Sequence, residues 1–320
     1  MDKLKEGKRV FDVEIHALEV VRDSLDETFV EILDLIVSCT GKVILTGMGK
    51  PGHIAKKLAA TFASLGTPSF YLHPGEAMHG DLGMISPADI VIVISYSGES
   101  DEIVKILPNI KMIGAKLVGI TGNANSILAQ AADITQVFPE FPEACYLGLA
   151  PTSSTTAALA YGDALAVVAS GIYGFKDADF GKYHPAGSLG KKLILKVDEL
   201  MVTGEKNSVV LYSATLKEAV VELSRKGLGL VSVVDEKGDL RGVITDGDLR
   251  RQLEKEADIY SMHVNDIMTR SPKTISAGRM AVEALNLMKK ENISCLPVLD
   301  NRRAIGIIRM QEIVGAGIVI

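Results

Sequence analysis

Between residues 42 and 138, five short apolar runs alternate with helix-patterned stretches and Gly-bearing turns: Lys42–Leu45, Ser69–Leu72, Ile90–Ser95, Lys116–Thr121 and Ile134–Phe138. No other feature narrows the fold so far. Such runs suit strands buried on both faces, and a parallel neighbour is reached only through a crossover. The crossovers here are helical stretches near 53–65, from about Glu99, and near 125–131. Right-handed connections put helices on both sides of the sheet. The predicted fold is therefore α/β, a doubly wound five-stranded parallel sheet, and ligands of such folds bind at the carboxyl ends of the strands. Ahead of the sheet, Val10, Val13, Ala17, Val20 and Val21, then Phe29, Ile32, Leu33 and Ile36, recur at helical spacing. They predict one or two amphipathic helices that cover a core or a subunit contact. Ser153–Gly171 is Ala-rich and predicts a helix packed through small residues, and Phe175–Lys192 is a Gly- and Pro-punctuated tail.

An internal repeat follows. Glu199-Leu-Met-Val, Leu216-Lys-Glu-Ala-Val, Leu230-Val-Ser-Val-Val-Asp235 and Gly242-Val-Ile-Thr-Asp246 recur as Asp266-Ile-Met-Thr, Ala281-Val-Glu-Ala-Leu, Cys295-Leu-Pro-Val-Leu-Asp300 and Gly306-Ile-Ile-Arg-Met310. Each copy reads helix, strand, strand, helix. One copy alone would leave an apolar face uncovered, so the two are expected to pair as an α+β module. The predicted domains are residues 1–197, 198–260 and 261–320.

Composition excludes several function classes. With 47% hydrophobic and 23% charged residues the chain is not generally disordered. The net charge of −6, with both signs interspersed, offers no footprint for nucleic acid or anionic lipid. The charged, amphipathic start is unlike a signal peptide, and no uninterrupted apolar segment reaches about 18 residues, so a cytoplasmic chain without a membrane span is expected. Cys39, Cys145 and Cys295 are scattered and odd in number, which suits reduced thiols.

The first strand runs into Thr46-Gly47-Met-Gly49-Lys50-Pro-Gly52-His53, which satisfies G-x-G-x-x-G. A dinucleotide site would also need an acidic residue closing the second strand, and that strand ends Phe70-Tyr71-Leu72-His73-Pro74. The nearest acid, Glu76, lies beyond a Pro-Gly turn, which argues against nicotinamide. The third strand leads into Ser95-Tyr96-Ser97-Gly98-Glu99-Ser100 at the start of a helix. Hydroxyls and free N–H groups at a positive helix end suit a phosphomonoester, although plain capping by Ser97 or Ser100 would leave the same pattern. A second hydroxyl run, Pro151-Thr152-Ser-Ser-Thr-Thr156, opens the next long helix and favours phosphate.

Residues from about 40 to 190 resemble the sugar-isomerase (SIS) domain through SYSGES, and 199 to 320 resemble a cystathionine-β-synthase-type (CBS) pair. The strings GMGKPGH, TPSFYLHPGEAMHGDLGM, EACYLGLAPTSSTT, GDALAV and YHPAGSLGKK are similar to those of the D-arabinose-5-phosphate isomerases. The resemblance implies interconversion of D-arabinose 5-phosphate and D-ribulose 5-phosphate, feeding 3-deoxy-D-manno-octulosonate for lipopolysaccharide. That chemistry needs a base to carry a proton between C1 and C2 through an enediol, acid help at the oxygens, and ring opening of the aldose.

By position, the resemblance implies catalytic roles for Lys50, Glu102, Glu143 and His184, and substrate contacts at Gly49, Gly66, Thr67, His73, His79, Ser95, Ser97, Ser100, Thr152 and Ser153. Glu143, in a loop where a charge has no evident structural task, is the preferred base. Glu102 is the runner-up, and would equally serve as a helix-dipole carboxylate. Lys50 would neutralise an enediolate or phosphate, or simply be a solvated loop lysine. His184 would open the ring, or be a turn residue before proline. No cofactor is expected, with at most an incidental or inhibitory divalent ion such as zinc near His73. The family pattern has Ser where Pro51 stands and Asn where Tyr96 stands, which bears on substrate preference. The repeats could take an adenosine nucleotide or a sugar nucleotide in the cleft between them: Thr245-Asp246-Gly247-Asp248 resembles the ribose-contacting end of such modules and has no counterpart in Arg309-Met-Gln-Glu312, which leaves a one-sided, a vestigial and a two-sided site open. A homotetramer is expected, since SIS sites resemble ones shared between subunits. Isomerisation of another sugar phosphate and a non-catalytic sugar-phosphate sensor are the rival readings.

Overall fold

The computed structural model describes residues 1–184, 188–254 and 261–318. The chain divides into two compact units, Met1–Asp179 and Phe180–Ile320.

The first unit runs α1 (Lys3–Asp23), α2 (Glu27–Ser38), β1 (Val43–Thr46), α3 (Lys50–Ser64), β2 (Ser69–Leu72), α4 (Pro74–Ala77), β3 (Ile90–Ile94), α5 (Asp101–Ile113), β4 (Lys116–Thr121), α6 (Ile127–Ala131), β5 (Ile134–Val137) and α7 (Ser153–Ile172). Its strands form one parallel sheet in the order β2-β1-β3-β4-β5, the doubly wound arrangement expected. Alternation along each strand feeds two cores. Val43, Leu45, Ile90 and Ile92 point to the layer of α1, α2, α3 and α7, with Ile32, Phe62 and Leu165. Ile44, Val91 and Val93 point to the opposite layer, with Ile103, Ile106 and Leu128 of α5 and α6. The strand order reverses direction between β1 and β3, and a crevice opens there at the carboxyl ends.

The first two helices are capped by Asp2, which accepts from the Leu4 and Lys5 N–H groups, and by Asp26, which accepts from that of Thr28. They bury Ala17, Val21, Ile32, Leu33 and Ile36 in the core, whereas Leu4 and Phe11 are each 71% exposed. By length and composition α7 could cross a membrane, yet it packs Ala157, Ala158, Gly162, Leu165 and Ala169 into the core. Small residues let it approach α3 closely. A Cβ at Gly162 would lie 2.3 Å from Leu58 Cδ1.

The second unit takes up the C-terminal end of α8 (Asp177–Tyr183), then α9 (Ser188–Ile194), α10 (Val197–Leu200), β6 (Val202–Thr203), β7 (Val209–Leu211), α11 (Leu216–Lys226), β8 (Leu230–Val234), β9 (Leu240–Thr245) and α12 (Asp246–Glu254). The second repeat supplies α13 (Val264–Ile267), β10 (Ile275–Ser276), α14 (Ala281–Glu291), β11 (Cys295–Asp300), β12 (Arg303–Arg309) and α15 (Met310–Gly315). The repeats exchange their leading segments. β6 of the first copy pairs antiparallel with β12 of the second, and Thr269 of the second bridges Val243 of the first. Gly242 and Gly306 make the exchange sterically feasible, because a Cβ there would lie 2.7 Å from the Thr269 carbonyl oxygen or 2.8 Å from that of Val202.

The stretch Phe180–Ile194, expected as a tail of the first domain, groups instead with the second unit. A Cβ on Gly181 would sit 2.3 Å from Ile194 Cγ2, and just beyond, the Ala281 N–H donates to the Leu195 carbonyl at 2.9 Å. These contacts tie the segment to the second repeat.

Gly162→Ala should overpack the α3–α7 seam and cost about 1–3 kcal/mol. A lowered urea midpoint with an unchanged slope would register it; an unchanged midpoint would mean that Leu58 yields freely.

Candidate active site

Three helices, α3, α5 and α7, begin at the carboxyl edge of the sheet. After β1 the glycines serve backbone approach rather than a dinucleotide: a Cβ on Gly52 would lie 2.4 Å from the Gly47 carbonyl oxygen, and Tyr71 Oη donates to that oxygen at 3.0 Å. Gly49, with φ of 64°, stands at the head of α3 without a side-chain cap, and Lys50 follows it, exposed to solvent.

After β3 the chain turns at Gly98, whose φ of 68° and whose contact with Ser126 exclude a side chain. The Gly98 N–H donates to Ser95 Oγ at 3.2 Å, Ser95 and Ser100 Oγ lie 3.4 Å apart, and the Glu99 N–H donates to Ser97 Oγ at 3.3 Å. Ser100 occupies the cap position of α5 but makes no side-chain cap bond. The plain capping expected of Ser100 is therefore not what its hydroxyl does. The hydroxyls gather instead at a helix start whose N–H groups suit an anion. Glu102 sits half-buried in the first turn of α5.

Glu143 is the best-held carboxylate of this edge. Its Oε2 accepts from the Thr152 N–H at 2.7 Å, Thr152 Oγ1 at 3.0 Å and the Ser154 N–H at 3.3 Å. Thr152 Oγ1 in turn accepts from the Ala144 N–H at 2.9 Å. Burial pushes the carboxyl up, but hydrogen bonds from Ser154 and Thr152 outweigh it and hold Glu143 below its ordinary value. The expectation that Glu143 has no structural task is thus corrected: it caps α7. Sequence reasoning missed this because the capping carboxylate lies nine residues before the turn that donates to it, outside any local capping motif. It likewise missed Arg9, which donates to the Ala144 carbonyl at 3.2 Å and lies 4.8 Å over the Tyr146 ring. It also missed Glu14, which accepts from Thr156 Oγ1 at 3.0 Å. Arg9 pins the Glu143 loop to α1, and Glu14 pins the first turn of α7 to it.

Not every expected contact gathers here. Gly66 and Thr67 precede β2, at the amino edge of the sheet, one strand length of roughly 13 Å from the rim. They terminate α3: Gly66 has φ of 99° under Phe175, and the Thr67 N–H returns to the Phe62 carbonyl at 2.9 Å. The Thr67 and Ser153 side chains are buried and closed to a ligand, and Thr152 spends its hydroxyl on Glu143 and Ala144. His73 and His79 are exposed beyond β2. His184 lies in the second unit, where Nδ1 is 2.9 Å from the Phe180 carbonyl and the ring stacks on Phe180 at 4.0 Å. The Pro185–Gly187 stretch of the HPAGS motif lies outside the described residues.

His73 caps the short helix α4. Its Nδ1 accepts from the Gly75 N–H at 3.1 Å, and among the described residues no group of three His, Cys, Asp or Glu side chains is placed to hold a metal. The Cys145 thiol, half-buried in the turn after Glu143, is drawn below its ordinary value by the backbone N–H groups of Ala150, Leu147 and Leu149.

Between the repeats of the second unit lies a cleft of about 860 Å³, bordered by Thr245, Asp246, Lys273, Lys289 and Ser294. Thr245 donates through N–H and Oγ1 to Asp248 at 2.8 and 2.7 Å, which leaves Asp246 facing the opening. The pseudo-symmetric cleft is bordered by Gly227, Leu228, Arg309 and Met310. There Arg309 donates to Glu312 at 3.0 Å and to the Gly227 carbonyl at 3.1 Å, so a guanidinium occupies the place of the Thr245 hydroxyl.

Residues 36–168 match the SIS domain model, and residues 197–255 and 264–318 match the CBS domain model. Arabinose 5-phosphate isomerase KdsD of Escherichia coli K12 is 44% identical over 313 residues, 98% of this chain and 95% of that protein. The enzyme of the same name from Yersinia pestis is 44% identical over 319 residues, covering 100% of this chain and 97% of its own, and that from Pseudomonas aeruginosa is 43% identical over 319 residues, at 99% and 98%. Among solved structures, that of c3406 from E. coli CFT073 in complex with arabinose 5-phosphate is 47% identical, with a TM-score of 0.56 over 57% of this chain and 98% of that one. A putative sugar-phosphate isomerase from Listeria monocytogenes is 32% identical, with a TM-score of 0.57 over 58% of this chain and 100% of that one.

A carboxyl held below its unfolded value adds stability above the carboxylate range and loses it as pH falls through the folded value. Glu143→Gln removes that charge from the start of α7. Wild type should therefore exceed the variant by about 0.5–1 kcal/mol near about pH 7, and the gap should close by about pH 3. Urea unfolding at both pH values tests this; a gap that persists in acid would assign the difference to packing.

Proposed function

Because the chain belongs to the arabinose 5-phosphate isomerase family, a SIS domain followed by a CBS pair, we propose that it interconverts D-arabinose 5-phosphate and D-ribulose 5-phosphate with Glu143 as the enediol base. The observation that carries the assignment is the Glu143 carboxylate, held ionised by Thr152 and Ser154 on the same sheet edge as the serine turn. An ionised carboxylate can accept the C2 proton of the open-chain aldose. It then returns that proton to C1 of the enediol while the O2 hydroxyl proton passes to O1, which yields the ketose without net proton change.

The serine turn and the N–H groups of α5 take the phosphate. Lys50, at the head of α3 across the crevice, balances the negative charge that builds on the enediolate oxygens. Glu102 supports the phosphate end rather than the carbon centre, since it follows Ser100 within one helical turn. His184 is the proposed ring-opening group, and His73 and His79 are the proposed hydroxyl contacts. The proposed steps call for no metal, because Glu143 carries the carbon-bound proton and Lys50 balances the enediolate charge. We assign the enzyme to the cytoplasm as a homotetramer that feeds octulosonate synthesis, with subunit contacts covering the exposed Leu4, Phe11, Leu147 and Leu149. We further assign one nucleotide or sugar-nucleotide effector per chain, in the cleft bordered by Thr245, Lys273 and Lys289 and not the one that Arg309 enters, Asp246 lining both.

Proton NMR in heavy water with D-ribulose 5-phosphate should show an arabinose anomeric signal and deuterium at C2. Exchange with a six-carbon sugar phosphate alone would change the substrate, and no exchange with any sugar would favour a sensor. Glu143→Gln should lower turnover by about a thousandfold or more while substrate binding stays within about threefold; retained turnover would remove Glu143 as the base. Asp246→Ala should abolish effector binding seen by calorimetry. A stoichiometry of two per chain would show that Arg309 does not block the second cleft.

A further inference from the structure

Tyr96 stands between Ser95 and Ser97 on the serine turn, yet its side chain leaves the rim and packs inward beneath the loop that carries Glu143. Its ring centroid is 5.6 Å from that of Phe141, with the planes tilted by 47°, and Phe141 precedes Glu143 by two residues. The ring also rests on Gly122, where a Cβ would come within 2.7 Å of ring carbons. The Tyr96 carbonyl accepts from the Gly122 N–H at 2.8 Å and from Thr121 Oγ1 at 3.0 Å, so the end of β4 grips its backbone as well. The ring shares the lining of a small cavity of about 10 Å³ with Pro51 at the head of α3, Phe138, and Ser154 and Thr155 at the head of α7. Burial, then the Glu143 and Glu140 carboxylates, push the phenol above its ordinary value, so at neutral pH it is an uncharged, packed wedge.

We propose that Tyr96 is a positioning residue for Glu143: wedged between Gly122 and Phe141, its ring sets where the base loop stands relative to the serine turn. A phosphate that orders the turn then also fixes the base, because both hang on one side chain. Tightly packed interiors transmit such displacements rather than absorb them. This inference rests on the reading of Glu143 as the enediol base.

The test compares kcat and KM for arabinose 5-phosphate in Tyr96→Ala, Tyr96→Phe and Gly122→Ala. Tyr96→Ala should lower kcat by about tenfold or more with KM within about threefold, since a misplaced base costs turnover and leaves phosphate binding in place. Tyr96→Phe should recover most of that loss because the ring remains. Gly122→Ala should reproduce it by driving a methyl group into the ring, and it decides the matter if Tyr96→Ala does not fold. Unchanged kcat in both Tyr96→Ala and Gly122→Ala, or losses confined to KM, would overturn the inference while Glu143→Gln remained inactive. If Glu143→Gln itself kept turnover, the base assignment would fall and this inference with it.

Discussion

The Glu143 carboxylate at the head of α7 is the contact on which the candidate site depends. Three donors from Thr152 and Ser154 converge on one oxygen, and each bond to a charged group is worth about 1.5–3 kcal/mol. They lock the carboxylate in place and keep it ionised, at the expense of basicity. Loss of intrinsic basicity is tolerable when geometry supplies the larger factor, because a pre-aligned base removes about 7–11 kcal/mol of entropic barrier in favourable cases. The same bonds finish the end of a helix that would otherwise present bare N–H groups. One side chain thereby joins the core helix of the first unit to the chemistry at its edge.

That arrangement is possible because the sheet is buried on both faces and reverses direction between β1 and β3. The reversal in strand order sends α3 and α5 to opposite faces, so the turns that carry Lys50 and the serines start from neighbouring strands at the carboxyl edge. The Glu143 loop arrives from β5 two strands away. Arg9 of α1 holds it there and Glu14 holds the head of α7, which makes α1 part of the site's scaffold as well as a cover for the core. In the second unit the same economy appears in another form. Each repeat completes its sheet with a segment of the other, so neither can be removed without opening the partner's edge.

The strands were legible because apolar residues on both faces leave few alternatives, and observed strand ranges differ from the expected ones by a residue or two at their ends. The serine turn was legible because Ser95, Ser97, Gly98 and Ser100 lie within six residues and act through local geometry. Gly66 and Thr67 stand before β2 at the amino edge, a placement that a resemblance carried over position by position does not reveal, because it says nothing of which edge of a parallel strand a residue occupies. The role of Glu143 as a cap and that of Tyr96 as a wedge were invisible because each partner lies outside the reach of helix or turn periodicity.

The sequence by itself determined the α/β class, the five parallel strands, the repeat and the hydroxyl-bearing turns, since these follow from patterns of period two or 3.6 and from local backbone preference. Only the tertiary structure decided which carboxylate is held ionised, which expected contacts share an edge, and that the repeats exchange strands. Those outcomes depend on approach distances between segments tens of residues apart, such as Gly162 on Leu58 and Gly306 on Val202, where the presence or absence of a single Cβ sets what can meet.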